Sequence, residues 1–481
     1  MTQMSMRQHR APHRSHHRSS HGSLSGDKIL ALIAFFILLI FVFSSTMIHF
    51  LLPPHDELKD NFVFRQMHTH KNHFNDVNSN ADSLDGILEK TQKDRRRKKR
   101  RRDLIDSDGE DPSHKAEYES VRMLYNEKLP HESIQDATRL HNFVNQIRKP
   151  KHEPKKNLKS EFQLPYDIEN CPEDPPVGYP MEWPILDVIK NWNPNNISYS
   201  HRPQIYQGLC RFDHGTELHK ALNYRKAELP FLLRDDPEIL KVVERWNQPG
   251  YLSQILGKNT KYRTEYSDSN SLMFYRERKG QQKPEDWEPP ISDVKLTYDE
   301  WEAKASQPLE DMSPDDPHWY FRLNAKGGTE HFMFKELPFF LPEENFYIVD
   351  ASDTRGINCR FGMAGNTAAA HFDGSRNFIM LFGGERRYFL SHPKNCPNLA
   401  LFPKNHPSGR HTAVDWSDPD LDEYPEFADG LVNEVVLQAG DVLYLPTHWF
   451  HHIVSLDLNW QCNSRSGITD EFQNLIKKCG F

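Results

Sequence analysis

The chain has 481 residues, of which 37% are hydrophobic and 27% charged, and its formal net charge is −8. It is long enough for more than one domain but too polar to be packed throughout. The charge is uneven, since residues 1–160 carry a net charge of +8 while residues 161–481 contain 32 basic and 48 acidic residues. An acidic folded region argues against nucleic acid as the main ligand, and it favours either basic partners or simply solubility.

An apolar segment without Lys, Arg, Asp or Glu runs from Ile29 to Leu52. About 20 apolar residues cross a bilayer as a helix, and the apolar region of a cleaved signal peptide is shorter than this segment. Residues 1–28 before it contain five basic residues and one acidic residue. Because an excess of positive charge stays cytosolic, we predict a basic cytosolic tail at 1–28 and a transmembrane signal anchor at 29–52. The rest of this single-pass type II protein would then be lumenal, in the endoplasmic reticulum or Golgi.

Residues 53–160 are rich in His, Asn, Lys and Asp and poor in apolar residues. Such a segment buries too little apolar surface to offset the entropy lost on ordering, which predicts a mostly disordered stem. Apolar positions within 117–149 indicate two short helices with Pro130 between them. The basic run from Arg95 to Arg102 is consistent either with a solvated spacer or with a target of proteases that cleave at basic sites.

The six cysteines all lie after residue 170, and none is in a CxxC pair. An even number confined to one region is typical of disulfide bonds in an oxidising compartment. The sequence leaves their pairing open. One N-glycosylation sequon, Asn196-Ile197-Ser198, is consistent with a lumenal position.

Residues 161–481 have the composition of a folded domain, in which helical patterns precede strand patterns. A short apolar run leads into a helix whose first turn holds Pro237 and Glu238, residue types that favour a helix start. After Phe332, short apolar runs separated by turn residues indicate many short strands. This order predicts an α+β fold with a jelly-roll or barrel core.

Two motifs carry residues that could bind a metal. His371 and Asp373 are two positions apart and share a face if they lie on a strand; an exposed pair at a strand end is the alternative. A later cluster contains His448, His451 and His452, and a strand would direct only one of the last two to the same site. Two histidines and one carboxylate leave coordination positions open, as in non-haem Fe(II) oxygenases, whereas a structural zinc site has four protein ligands.

These motifs resemble those of the JmjC and cupin-like 2-oxoglutarate oxygenases, especially the protein-hydroxylase branch. The resemblance covers about residues 175–468 and includes HFDGSRNFIMLFGGERRYFLSHP and AGDVLYLPTHWFHHIVSL. It implies a double-stranded β-helix core, an oxidoreductase of the dioxygenase class, and Fe(II), 2-oxoglutarate and O2 as cofactors. By this resemblance His371, Asp373 and His451 hold the iron, since His451 is the histidine that follows the aromatic pair.

The resemblance also implies a basic residue that binds the distal carboxylate of 2-oxoglutarate. The family commonly has lysine on the strand after the glycine turn, where this chain has Arg386 and Arg387. Alignment on Pro393 favours Arg386. An arginine can hold a carboxylate through two parallel hydrogen bonds. It therefore keeps the pairing of a cation with the carboxylate, although its side chain differs from lysine in length and shape.

Further cosubstrate positions follow from the same resemblance. Asn377 and Tyr320 match residues that contact the cosubstrate, and Asn463 lies on the last strand, where a polar residue faces the metal. A hydroxyl residue expected three positions before the first histidine is replaced by Ala368, with Thr367 adjacent. We therefore include Thr367 among the candidate cosubstrate residues.

Residues 415–429 contain seven acidic residues. They indicate either a solvated insertion or a rim that attracts a basic protein or peptide substrate.

Together these features predict a membrane protein with a lumenal oxygenase domain at 161–481 that hydroxylates a protein side chain. One alternative is a catalytically silent JmjC-like binding module, suggested by Ala368 and by arginine in place of lysine. A second is a lumenal glycan-modifying enzyme, suggested by the anchor and the stem. The anchor disfavours histone demethylation, another activity of the family.

Overall fold

This computed structural model describes residues 137–148, 164–190 and 206–481, without 314, 315 and 327. The predicted anchor at 29–52, the basic run, most of the stem and the sequon at Asn196 lie outside these residues. Within them, no helix combines the length and the apolar character needed to cross a membrane. The anchor and the lumenal location therefore stay predictions.

The helices precede most of the sheet, and polar caps begin several of them. Asp236 accepts a hydrogen bond from the Glu238 amide and Pro237 stands in the first turn, which confirms the predicted helix start. The α-helices are α1 Ala137–Ile147, α2 Ile185–Ile189, α3 His214–Lys226, α4 Pro237–Trp246, α5 Tyr251–Ile255, α6 Tyr298–Ala305, α7 Phe332–Glu336 and α8 Gln473–Lys478. Short 3-10 helices cover Leu309–Asp311, Pro338–Phe340, Ala351–Asp353, Pro393–Asn398 and Pro425–Asp429.

Short strands make up most of the remaining chain, as the apolar runs predicted. The early strands are β1 Trp183–Pro184, β2 Arg211–Asp213, β3 Phe231–Arg234, β4 Tyr262–Ser267, β5 Ser271–Leu272, β6 Ser292–Leu296 and β7 His318–Ala325. The later strands are β8 Thr354–Gly362, β9 Thr367–Phe372, β10 Asn377–Gly383, β11 Glu385–Ser391, β12 Leu431–Gln438, β13 Val442–Leu445, β14 Phe450–Ser455 and β15 Asn459–Ser466.

The strands form two mixed sheets. One has the order β1-β12-β11-β14-β9-β5 and the other the order β2-β3-β13-β10-β15-β8-β7-β4-β6. The pairs β2/β3 and β5/β9 are parallel, and the other pairs are antiparallel. Consecutive strands β8 to β11 alternate between the two sheets, as expected for a jelly-roll type of winding. The predicted β-rich core is confirmed.

Strand alternation sorts the core into layers. In β10, Ile379 and Leu381 pack with Tyr388 and Leu390 of β11 in a cluster that joins the two sheets. The intervening residues of β10 belong to a different cluster, which includes apolar residues of α1 and α4. A third cluster packs on the outer side of the six-stranded sheet. Because alternate residues point to opposite faces, residues with odd numbers in β10, starting with Asn377, face the space between the sheets.

Helix α1 corrects the predicted domain boundary at 161, because it lies within the segment assigned to the stem. Leu140 and Val144 are 0% and 1% exposed and belong to the main core. Arg148 donates to the Ala439 carbonyl at 2.8 Å and pairs with the buried Asp441 at 3.2 Å. Two fully buried apolar residues one helical turn apart, with Phe143 and Ile147 packed beside them, dock this helix on the core although the surrounding composition is polar.

Three disulfide bonds join all six cysteines: Cys171–Cys210, Cys359–Cys462 and Cys396–Cys479. The second links register partners on the adjacent strands β8 and β15. The third ties the segment after β11 to the end of α8. The sequence predicted disulfides without their pairing, and it could not give the pairing because each bond joins residues far apart in the chain.

We expect Leu140→Ala to lower the free energy of unfolding by about 2–5 kcal/mol, because it removes a fully buried side chain from the core. Asn145→Ala, at an exposed position of the same helix, should change it by less than about 0.5 kcal/mol. Urea unfolding of both variants measures the difference. Equal stabilities would show that α1 is not part of the folded unit.

Candidate metal centre

The pairing of β9 with β14 brings three predicted ligands together. His371 and His451 are register partners across this antiparallel pair, and Asp373 follows one residue after β9 ends. Ligand atoms of the three side chains all lie within 4.8 Å of one another. The arrangement has the open, two-histidine and one-carboxylate composition of non-haem Fe(II) sites.

Backbone carbonyls fix the orientation of both imidazole rings. His371 Nδ1 lies 2.8 Å from the Ala369 carbonyl, and His451 Nδ1 lies 3.1 Å from the Trp449 carbonyl. A carbonyl oxygen can only accept, so each Nδ1 must donate its proton. Each Nε2 is then left with its lone pair, the form in which histidine binds a metal.

Charges around the three side chains favour the protonation states that a metal requires. Burial, together with the neighbouring His451 and His411, holds the pKa of His371 well below its usual value. Burial also lowers the pKa of His451. Burial alone would raise the pKa of Asp373, but the positive charge around it, above all that of Arg465, more than offsets this and lowers it. Neutral imidazoles and an ionised carboxylate are therefore present at neutral pH, and they fit a divalent cation.

His452 points away from the other three residues. Its ring stacks on Trp416 with centroids 5.0 Å apart and an interplanar angle of 11°, and it also contacts Phe389 on the outer side of the six-stranded sheet. Burial lowers the pKa of His452 to about 4. Of the adjacent histidines, only His451 reaches the candidate metal centre, as strand alternation predicted.

Arg386 and Arg387 also point to opposite sides of their strand. Arg387 pairs with Glu434 at 3.2 Å. Arg386 is 0% exposed, and it donates from Nη1 to Gln461 Oε1 at 2.8 Å and to the Tyr320 hydroxyl at 3.4 Å. No carboxylate of the described chain pairs with it, and a buried cation without an anionic partner is costly.

A glycine on β8 makes room for this guanidinium. A Cβ atom at Gly362 would lie 2.7 Å from Ser455 Oγ and 3.2 Å from Arg386 Nη2. Nη2 donates to the Arg360 carbonyl at 3.0 Å, and Nε donates to the Asn459 side chain. Neutral groups thus hold Arg386 in place, and its charge fits a carboxylate ligand beside Tyr320.

The other predicted cosubstrate residues differ in where they lie. Asn463 donates to Asn377 Oδ1 at 2.8 Å, and both residues line the same cavity as Tyr320. Thr367 corrects our prediction, because it is 5% exposed and does not line this cavity. Ala368 lines it instead, because the pairing of β9 with β14 shifts by one residue between His451 and Ile453 and brings Ala368 to the face of His371.

Several residues at the centre were not predicted. Arg465 donates to Asp373 Oδ1 at 2.7 Å, and Arg410 pairs with the same oxygen at 3.5 Å. The ring of His411 stacks on that of His371, with centroids 4.8 Å apart. Period-two spacing after Asn463 could have found Arg465. Arg410 and His411 lie on a loop, for which the sequence offers no such signal.

A cavity of about 880 Å³ opens over the triad. Strands β4, β6, β7, β8, β9, β10, β14 and β15 contribute to its wall, together with two loops around residues 274–281 and 404–411. None of the seven acidic residues of 415–429 lines it. Trp416 and Phe427 of that loop pack on the outer side of the six-stranded sheet, so the predicted acidic rim is not at the triad.

Comparison with known proteins finds relatives that match this chain over part of their length. The chain is 27% identical over 134 residues to "Lysine-specific demethylase JMJ31" of Arabidopsis thaliana, which is 26% of this chain and 24% of that protein. It is 36% identical over 97 residues to "tRNA wybutosine-synthesizing protein 5" of Gallus gallus, 20% and 29% of the two chains. It is 30% identical over 140 residues to "Lysine-specific demethylase 8" of Xenopus tropicalis, 27% and 31% of the two chains.

These matches span about a quarter to a third of the length of each relative. The family model of the cupin-like domain matches residues 219–466, which is more than half of this chain and includes every predicted iron ligand. The chain therefore belongs to the cupin-like domain family.

Proposed function

We propose that this chain is an Fe(II)- and 2-oxoglutarate-dependent oxygenase that hydroxylates a protein side chain. The observation that carries the proposal is the triad of His371, Asp373 and His451, whose two imidazoles present free Nε2 atoms beside an ionised carboxylate. When bound, iron and 2-oxoglutarate would supply the oxidising chemistry, with succinate and CO2 as by-products. The names of the relatives place related domains on both protein and RNA substrates, so the substrate class is our proposal.

The residues of this chain would hold and orient the groups that react. Arg386 and Tyr320 would hold the distal carboxylate of 2-oxoglutarate, since Tyr320 lines the cavity and the buried Arg386 lies 3.4 Å behind its hydroxyl. Asn377 and Asn463, which are bonded to each other, would position groups next to Asp373. The surrounding apolar residues of both sheets would exclude water from this end of the site.

The completeness of the triad favours an enzyme over a catalytically silent binding module. Both imidazoles are oriented by backbone carbonyls, and a silent module would not need this orientation. The buried charge of Arg386 also favours retention of an anionic cosubstrate. A glycan-modifying enzyme is supported only by the predicted anchor and stem, which lie outside the described residues.

We further propose that the domain lies in the lumen of the secretory pathway. The apolar segment at 29–52, the charge before it, and the pairing of all six cysteines in disulfides support this location, because disulfides persist in oxidising compartments.

For the metal, we expect His451→Ala to reduce iron-dependent succinate formation at least about 10 to 100-fold, because even changes in residues that only support a ligand have effects of this size. His452→Phe is the matched control, since phenylalanine keeps an aromatic ring against Trp416. It should retain iron and most of the activity. Iron content and succinate yield measure both variants, and full activity of His451→Ala would exclude this triad.

For the cosubstrate, we expect Arg386→Met to weaken binding of 2-oxoglutarate by about 1.5–3 kcal/mol, through the loss of a charge-assisted hydrogen bond. Arg386→Lys keeps the charge and should bind more tightly than Arg386→Met. Titration calorimetry with 2-oxoglutarate measures the affinities. Unchanged binding to Arg386→Met would mean that another cation holds the carboxylate.

For the topology, protease added to intact microsomes should leave the folded domain undigested, because residues 53–481 would be enclosed by the membrane. Detergent should then make the domain accessible. Digestion without detergent would place the domain in the cytosol and exclude the proposed location.

A further inference from the structure

The cavity over the triad has the opposite charge to the domain that contains it. Residues 161–481 contain 32 basic and 48 acidic residues, yet ten basic and three acidic side chains line the cavity. The cavity is thus lined by nearly a third of the basic residues of this region but by only a sixteenth of its acidic residues. A concave surface lined by one sign of charge concentrates its potential and attracts the opposite charge.

The three acidic residues already have partners within the cavity wall. Asp373 pairs with Arg465 and Arg410. Glu265 pairs with Arg322 and, at 3.3 Å, with Arg263. Asp293 lies 3.7 Å from Arg263. These contacts involve four of the ten cations and leave a large positive excess.

Five of the remaining cations have no acidic partner within salt-bridge distance in the described part of the chain. Four of them, Arg276, Arg278, Lys295 and Lys404, are exposed. The fifth, Arg360, is largely buried, and it donates from Nη1 only to the Asn324 side chain at 3.2 Å and to the Cys359 carbonyl at 2.8 Å. Its cationic head has neutral partners alone.

The largely buried Arg360 is also repelled by a neighbouring cation, Arg322. Burial and then the neighbouring Arg322 lower its pKa to about 9, which still leaves it charged at neutral pH. The Nε atoms of Arg263, Arg322 and Arg465 are buried without a hydrogen-bond acceptor. An anionic ligand would accept hydrogen bonds from these buried donors and offset the positive charge around them.

The mouth of the cavity is built by two loops that hold each other. The Arg276 amide donates to the Pro407 carbonyl at 3.0 Å, and the Gln282 amide donates to the Asn405 carbonyl at 3.2 Å. Arg276 and Lys404 are therefore carried on connected loops at the entrance. They would be the first cations met by a ligand that enters toward the triad.

We propose that this cavity binds an acidic segment of a polypeptide and presents one of its side chains to the triad. The inference rests on the proposed function, because it takes the triad as the reacting centre. The cosubstrate does not account for the positive charge, since 2-oxoglutarate carries two carboxylates and Arg386, which is not among the ten, serves one of them. Aspartate and glutamate side chains match the forked donors of the arginines that line the wall.

This proposal reverses the expectation of a basic substrate, which came from the net charge of the domain. The acidic loop at 415–429 packs on the other side of the six-stranded sheet, through Trp416 and His452. A cationic substrate side chain would have to enter a cavity that already has seven more cations than anions. Repulsion of that kind is an effective way to reject the wrong partner.

An acidic polypeptide is favoured over a nucleic acid by the chemistry of the domain. Three disulfide bonds in the described chain point to an oxidising compartment, since disulfides are rare in proteins of the cytosol and nucleus, where nucleic acids are found. Readers of single strands also stack bases on successive aromatic side chains along a groove. At the mouth of this cavity, the aromatic Phe274 instead lies beside the guanidinium of Arg322, 5.8 Å from the ring centroid.

The test measures binding by the full-length protein of a fluorescein-labelled peptide of alternating glutamate and serine. We expect anisotropy to show binding that weakens as salt is raised. The double variant Arg276→Glu with Lys404→Glu should bind at least about tenfold more weakly, because two charge-assisted contacts become repulsive. Lys226→Glu with Lys258→Glu makes the same change of net charge at exposed positions outside the cavity, and it should bind as the unchanged protein does.

Two comparison ligands and one separate assay make the outcomes distinct. Tighter binding of a lysine and serine peptide, or of an oligouridylate of equal length, would overturn the proposal, as would equal binding by the two double variants. Succinate formation without added peptide tests the oxygenase function independently. If succinate forms and the glutamate peptide does not bind, only the substrate inference fails; if the peptide binds and no succinate forms, only the oxygenase function fails.

Discussion

The antiparallel pairing of β9 with β14 is the contact on which the candidate centre depends. It sets His371 directly opposite His451, and it lets Asp373 reach the same point from just beyond the strand end. A slip of β14 by one residue would turn His451 to the opposite face, where His452 now packs on Trp416. Carbonyls of Ala369 and Trp449, in or next to the same two strands, orient the rings, while Arg465 of β15 and Arg410 of a loop pair with Asp373.

Alternation along a strand showed that only one of His451 and His452 could face the metal, and the family resemblance then selected His451 and Arg386. Alternation from His371 would have kept Thr367, and it fails there because the pairing of β9 with β14 shifts by one residue. Applied after Asn463, the sequence pattern could have given Arg465. It did not reveal Arg410 or His411, which reach the centre on a loop, nor the position of the acidic residues at 415–429. Helix α1 was missed as part of the domain because its apolar pair is set in a polar segment.

The net charge of residues 161–481 did not predict the charge of the ligand, because the fold places basic residues in the cavity and most acidic residues elsewhere. The acidic excess lies outside the cavity, while Arg360, Arg322 and Arg465 face one another around it. Holding these cations close together destabilises the folded chain unless an anion lies between them. The clustered cations that would select an anionic ligand therefore lower the stability of the folded chain without that ligand. The disulfide between β8 and β15 stabilises the strands that carry Arg360 and Arg465.

The close approach of Gly362 to Arg386 links the sequence choices at these two positions. A Cβ atom at residue 362 would lie 2.7 Å from Ser455 Oγ and 3.2 Å from Arg386 Nη2, so a larger residue there would force both side chains to move. Lysine, which is the family's common residue, has a slimmer head and needs less of that space. A lineage could therefore exchange arginine for lysine while glycine remained, and a larger residue at 362 would then make the return to arginine sterically costly. Relatives that carry arginine at the position of 386 should for this reason carry glycine at the position of 362, whatever substrate they act on.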